Sequence, residues 1–498
     1  MSFIGLATIA FVLGTLALIR LDVKRYFIIF LIKTQRGIRL LEMIAGLSPR
    51  FWKFMGNAAI VVSFGGLGAA YLSKHRKRRS LYVIEFFIAL IIMALVLAEH
   101  GLAYASVAGV ALLAAIISFY KAGSRGIDFL SCTAMIYLIG VTVVSFGGVA
   151  TNAGKLILLA GSVFGLPAVV LVGLATNASS ILAQESNVPG VSPLMPSERA
   201  GEVGVSFPGY DIFIPWWHAL IALIITVVAH EFSHGVMAKA HKMKIKSTGI
   251  ITVGILPIGA FVEPDEEEVK GRSSVEKMRL YSAGSFANLC VCALAGAVYV
   301  SMIFLIAFSI KTDGLQIIDT AEGYPAYGVL EKGSVIYAVN DAKPNLENLI
   351  PDVKPGEKVA LTTDKGVVEL TAVPSPVNES RGYIGVYMMQ HYVLKEGVGG
   401  MMPFAAGNEG FVESYIKAIL FLLTSMKWIM FFNFNIALVN LIPLAPFDGW
   451  HMLKELLSVF NVGEQSAQRI SYGVLAFTVL LFLINISPLG SKVISAVI

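Results

Sequence analysis

The chain has 498 residues, of which 56% are hydrophobic and only 14% charged, with a mean hydropathy of +0.74. A soluble protein is about a quarter charged, so this composition excludes an ordinary soluble domain and marks a polytopic membrane protein. The net charge of +5 is modest and its clusters abut apolar runs. They read as topology determinants, with no nucleic-acid face.

Residues 3–19 are apolar and end at Arg20. Basic residues follow the run and no small-residue cleavage site is present, so an uncleaved anchor helix is expected. Residues 20–55 carry scattered basic residues and read as interfacial. Residues 56–73 form a second candidate span, followed by the basic run Lys74 to Arg79, which is expected in the cytoplasm. Further spans are expected at 81–98, 102–119, 127–149 and 155–176, and residues 177–211 read as a polar extramembranous loop.

The next apolar run, about 213–239, holds His230, Glu231, Phe232, Ser233 and His234, the pattern H-E-x-x-H. Residues four apart share one helical face, so His230 and His234 can hold one metal ion together. Glu231 lies beside them, where its carboxylate can take a proton from water activated by that metal. Two imidazoles and a carboxylate are costly in hydrocarbon unless paired, metal-bound or wet. Such a pattern also arises by chance on solvated helices, and its burial in an apolar run argues against that origin. The helix runs into Lys239, Lys242, Lys244 and Lys246, which places that end in the cytoplasm. Two cytoplasmic basic runs require an even number of crossings between them. Five candidates lie there, so one is not a full crossing or the charge rule fails, and the Gly- and Pro-containing 155–176 is one suspect.

Residues 248–262 are apolar but too short to span, and Gly254, Pro257 and Gly259 suggest a re-entrant or interfacial hairpin. It could supply an edge strand for an extended substrate. The run Asp265 to Glu268 reads as solvated, and a span at about 282–309 opens with Gly284, Ser285 and Asn288. Asn288 reads either as an interhelical hydrogen bond or as a substrate or oxyanion contact. From 312 to 390 charge rises and alternating apolar patterns appear between turn signals, a β-rich soluble insertion. Spans at 415–445 and 470–487 close the chain. Cys132, Cys290 and Cys292 lie in apolar runs and read as packing residues.

A catalytic zinc takes three protein ligands and keeps one open position. Candidates for the third are Glu266–Glu268, Glu276, Asp448 and, more weakly, His451. Asp448 is favoured, being the sole acid between Glu413 and Glu455, with Pro443 and Pro446 just ahead to break the helix. His230 and Asp448 precede Lys239 and Lys454 by roughly 13 Å and 9 Å at helical rise, so the three ligands can meet at similar depth.

These residues together, H-E-F-S-H at 230–234, Gly284 with Asn288, and Asn440 with Pro443, Asp448 and Gly449, resemble the site-2 protease family of intramembrane zinc metalloproteases. The resemblance covers about 213–487. Residues 312–390 resemble the PDZ domain often inserted in that family, through Pro325-Ala326, Gly328-Val329-Leu330, Gly333-Ser334-Val335-Ile336 and the turn Arg381 to Val386. Gly333-Ser334 departs from the expected Gly-Asp.

The fold implied is a polytopic α-helical membrane protein with a small β-rich, PDZ-like soluble insertion. Its parts are residues 1–200 of unassigned role, 201–311 with the motif helix, 312–390 PDZ-like, and 391–498 with the third ligand. The resemblance implies Zn2+ held by His230, His234 and Asp448, Glu231 as the catalytic acid–base, and Asn288 and Asn440 on the substrate backbone or oxyanion. It implies a transmembrane protein substrate already cut by another protease and a cell-membrane location. The site would lie in the cytoplasmic half and the PDZ-like domain outside. The sequons at Asn177 and Asn378 fall in segments expected outside. Competing readings are another membrane zinc peptidase with its third ligand among Glu266–Glu268 and Glu276, and a non-enzymatic transporter or scaffold.

Overall fold

The computed structural model describes residues 3–21, 23–75, 160–161, 164–199, 201–344, 349, 353–376, 379–395, 409–457 and 462–497. The expected spans at 81–98, 102–119 and 127–149, Cys132 and Asn378 lie outside them. Four described helices are long and apolar enough to cross a membrane: Trp216–Ala240, Ser274–Ser309, Glu413–Leu441 and Glu464–Gly490. The chain divides into two compact units, Met1–Gly296 with Lys427–Ile498, and Ala297–Met426.

The first unit opens with α1 (Phe3–Arg20), then β1 (Lys24–Tyr26) and β2 (Ile29–Thr34), and the amphipathic α2 (Arg36–Leu47). The two strands were not expected from the sequence. Strand β1 pairs locally with β2, Tyr26 facing Ile29, and β2 pairs far along the chain, Ile29 facing Val253 and Thr34 facing Thr248. Helix α3 (Pro49–Lys74) covers the second expected span but is interrupted at Gly65, whose φ of 58° and ψ of −137° leave the helical region. Glycine occupies that region without steric cost.

Helix α4 is Leu166–Leu182, so the expected 155–176 span is shifted and the polar loop starts later than expected. Asn177 therefore sits on a helix, with its amide donating to Asn485 Oδ1 at 2.8 Å, which removes it from the expected exposed loop. The remaining loop folds into β3 (Met195–Arg199), β4 (Glu202–Ser206) and β5 (Phe213–Pro215), a three-stranded antiparallel sheet. The motif helix α5 (Trp216–Ala240) follows directly, then β6 (Ile245–Val253), β7 (Leu256–Pro264) and the short α6 (Glu266–Lys270). The hairpin turns at Gly254, with φ of 55°, where Val253 faces Leu256. Asp265 caps α6 by accepting from the Glu267 amide.

Helix α7 (Ser274–Ser309) is longer than expected. Cys290 is exposed on it, so the packing role expected for that residue is not its environment. Strands β1, β2, β6 and β7 form one sheet in that order, with β7 at an edge. A core of α2, α5 and α7 residues, Leu41, Val236, Met237 and Leu280 among them, holds these elements together.

The second unit contains β8 (Ile310–Thr320), β9 (Val335–Val339), β10 (Lys358–Thr363), β11 (Gly366–Thr371), β12 (Val373–Pro374), β13 (Gly382–Tyr383) and β14 (Val386–Leu394). Five of these form an antiparallel sheet in the order β11-β10-β9-β8-β14 around Leu315, Ile336, Val359 and Leu361. Helix α8 (Glu409–Leu441) leads back into the first unit, followed by α9 (Asp448–Leu457) and α10 (Glu464–Val497).

Candidate metal centre

His230 and His234 lie on α5 and present their Nε2 atoms 3.1 Å apart. Asp448 Oδ2 stands 3.2 Å from each. The carboxylate arrives from a place slightly different from the expected one. Helix α8 stops at Leu441, the chain turns through Pro443 and Pro446, and Asp448 begins the next helix rather than ending the apolar one. Gly449 makes the turn possible, because a Cβ there would lie 2.2 Å from Leu441 O and 2.4 Å from Ile442 O.

The three donor atoms suit a zinc ion. A tetrahedral zinc with bonds of about 2.0–2.1 Å separates neighbouring ligands by about 3.3 Å, close to the distances here. Asp448 Oδ2 is buried and makes no hydrogen bond among the described residues, an orphaned atom facing two imidazoles. Glycine at 284 keeps the space open, since a Cβ there would lie 2.5 Å from His230 Nε2. No other group of three or more His, Cys, Asp or Glu side chains among the described residues is arranged to hold a metal.

Both imidazoles are oriented from behind. His234 Nδ1 lies 2.8 Å from the Leu280 carbonyl, to which it donates, leaving Nε2 for a metal. His230 Nδ1 lies 3.3 Å from the amide of Asn288, which is fully buried on α7. Asn288 Oδ1 has no hydrogen-bond partner among the described residues. Turning the amide end for end lets that oxygen accept the Nδ1 proton, which leaves His230 Nε2 for a metal.

Glu231 points to the hairpin, and its Oε2 accepts from the Val262 amide at 3.1 Å. Val262 lies on the β7 edge, so its amide points away from β6. The Asn440 amide donates to Ile436 O within α8. Three of the alternative ligands are engaged elsewhere. Glu268 accepts from the Lys244 amide and Arg272, Glu276 pairs with His241, and His451 stacks on Tyr281 at 5.1 Å. Sequence reasoning missed the roles of Leu280 O, the Val262 amide and Gly284, because two are main-chain groups and the third is an absent side chain.

The sequence pattern of peptidase family M50 matches residues 218–484, more than half of the chain, and this stretch contains all three donors and Glu231. The chain belongs to peptidase family M50, the site-2 protease family. Over 266 residues it is 31% identical to an uncharacterised protein of Methanocaldococcus jannaschii, covering 53% of this chain and 62% of that one. It is also 23% identical over 201 residues to the membrane-bound transcription factor site-2 protease homolog of Arabidopsis thaliana, covering 40% of this chain and 36% of that protein. The chain thus spans less than two thirds of each of these relatives. With its apolar helices, this M50 member is a multi-pass membrane protein.

Proposed function

We propose that this M50 member is an intramembrane zinc metalloprotease that hydrolyses peptide bonds within or near transmembrane segments of membrane-tethered proteins. The observation that carries the reading is the convergence of His230 Nε2, His234 Nε2 and Asp448 Oδ2 with Glu231 next in sequence. Zinc, when bound there, would acidify water at neutral pH and polarise the scissile carbonyl. Glu231 accepts the proton from the attacking water and returns it to the leaving amine. Its Oε2 contact with the Val262 amide holds the carboxylate in place for both transfers.

The β7 edge offers main-chain groups beside Glu231, which suits an extended peptide added as a further strand. A transmembrane substrate must unwind to be cut, and edge pairing satisfies the backbone groups that unwinding frees. Asn288 orients His230 instead of touching substrate. Asn440 is left as the candidate for a substrate backbone contact. The five-stranded sheet supports reading 312–390 as the PDZ-like part, placed outside the membrane as a size filter for substrates already trimmed by another protease. The basic residues closing α5 support a site in the cytoplasmic half of the cell membrane.

The test is zinc content per chain together with cleavage of a transmembrane model substrate. Glu231→Gln is expected to keep zinc and lose cleavage by about 10²–10⁴-fold, and Asp448→Asn to lose zinc. A wild-type chain without zinc, or a cleaving Glu231→Gln, overturns the reading.

A further inference from the structure

Where α5 ends, the chain builds a second concavity, unrelated to the metal centre. It has a volume of about 530 Å³ and is lined by Lys53 of α3, by Lys239 at the end of α5, and by Lys242 and Lys244 just beyond. The one acid on its wall, Glu42, is held by Lys239 at 2.8 Å. Lys53, Lys242 and Lys244 make no ion pair among the described residues, so the cavity carries an uncompensated positive charge of three. The three lysines are exposed and come from separate elements, so their convergence on one hollow makes a positive surface that suits an anion.

The cavity is built rather than incidental. Lys242 holds φ at 57°, a left-handed conformation that glycine or asparagine adopts more readily. Arg272 clamps this turn by donating to His241 O and Lys242 O, each at 3.2 Å. Glu268 fixes the Lys244 amide at 2.8 Å. The lysine side chains therefore leave from an anchored backbone. On the α2 wall Gly46 leaves room, since a Cβ there would meet no atom within 4 Å.

The surroundings specify the source of the anion. Met43 and Leu47 of α2 are 62% and 78% exposed and carry apolar surface outward, beside the cavity wall at Ala45 and Gly46. Trp52 follows on α3, with its indole N–H donating to Ile44 O at 2.9 Å. An amphipathic helix with exposed apolar side chains lies in a bilayer interface. A ligand there needs a phosphate for the lysines and hydrocarbon for Met43 and Leu47.

We propose that this cavity binds the phosphate headgroup of an anionic phospholipid, with its acyl chains along α2. The site is independent of the protease reading and stands or falls separately from it.

The experiment uses the purified full chain in neutral detergent, with bound lipid counted by native mass spectrometry. Phosphatidylglycerol, phosphatidylcholine and inorganic phosphate are offered separately and in competition. Wild type is expected to retain phosphatidylglycerol in preference to phosphatidylcholine. The triple variant Lys53→Ala/Lys242→Ala/Lys244→Ala is expected to lose affinity on the order of 100-fold, at about a factor of five per lysine. Gly46→Leu fills the hollow without removing charge and is also expected to lose the lipid, which decides the matter if the triple variant fails to fold. The charge-matched Lys332→Ala/Lys343→Ala/Lys354→Ala control, in the other unit, is expected to bind as wild type does. Equal retention of phosphatidylcholine, undiminished binding by both cavity variants, or an equal loss in the control overturns the proposal. Displacement of the lipid by inorganic phosphate alone also overturns it, by assigning the site to a soluble phosphate.

Discussion

Gly284 and His234 approach so closely that a Cβ on the glycine would lie 2.4 Å from the imidazole Nε2. The helix carrying Gly284 therefore presses bare backbone against the atom that would bind a metal. Gly284→Ala is expected to weaken zinc binding by at least about tenfold, the range over which displaced ligands act. Alanine favours a helix over glycine by about 1 kcal/mol, but the same Cβ would also lie 2.5 Å from His230 Nε2, so the metal-free protein should unfold at a lower temperature as the two helices are forced apart. Zinc titration alongside thermal unfolding reads both. Unchanged affinity would mean that the helices separate at little cost.

Asn288 contacts His230 Nδ1, and on the proposed reading it acts through that imidazole. Asn288→Ala should leave the imidazole free to turn and lower zinc affinity by about 10–100-fold. At saturating zinc, cleavage should recover substantially, which separates this role from contact with substrate. A loss of cleavage with zinc affinity intact would return Asn288 to the substrate side.

The Val262 amide holds Glu231, and proline at 262 removes that donor. Because the amide points away from β6, proline there breaks no bond of the β6–β7 ladder. Val262→Pro is expected to keep zinc and lower cleavage by roughly 10²-fold, the cost of a catalytic group misplaced by about 1 Å. Full activity in this variant would show that Glu231 finds its position unaided.

His241, just past the end of α5, is buried, and burial together with Arg279 and Lys53 lowers its pKa to about 4 against the pull of Glu276. Its folded pKa lies below the unfolded value, so between about pH 6.5 and 4 the unfolded chain binds more protons. Stability is then complete above about pH 6.5 and is lost on acidification towards pH 4, by up to roughly 3 kcal/mol. Unfolding midpoints measured across this range should show a shallower slope for His241→Gln. An identical slope would assign the acid sensitivity to other groups.

The spacing of His230, Glu231 and His234 was legible because a helix turns that spacing into a shared face. Asp448 was legible as an isolated acid beyond two prolines, although its place on a new helix was not. Strand β2 was hidden because its partner β6 lies more than 200 residues away, and β1, a three-residue strand paired only with β2, is too short to show a period of its own. The part played by Asn288 was hidden for a related reason. Its neighbour is on another helix, and nothing in its local sequence records which imidazole it will meet.

Two of the residues at the metal centre are steadied by main chain alone, His234 by the Leu280 carbonyl and Glu231 by the Val262 amide. Any amino acid supplies that carbonyl, and any but proline supplies that amide. Apolar replacements at positions 280 and 262 that keep the core packed would therefore continue to serve the site. Side-chain variability there would be a poor guide to importance, and a search for invariant residues would pass over both supports.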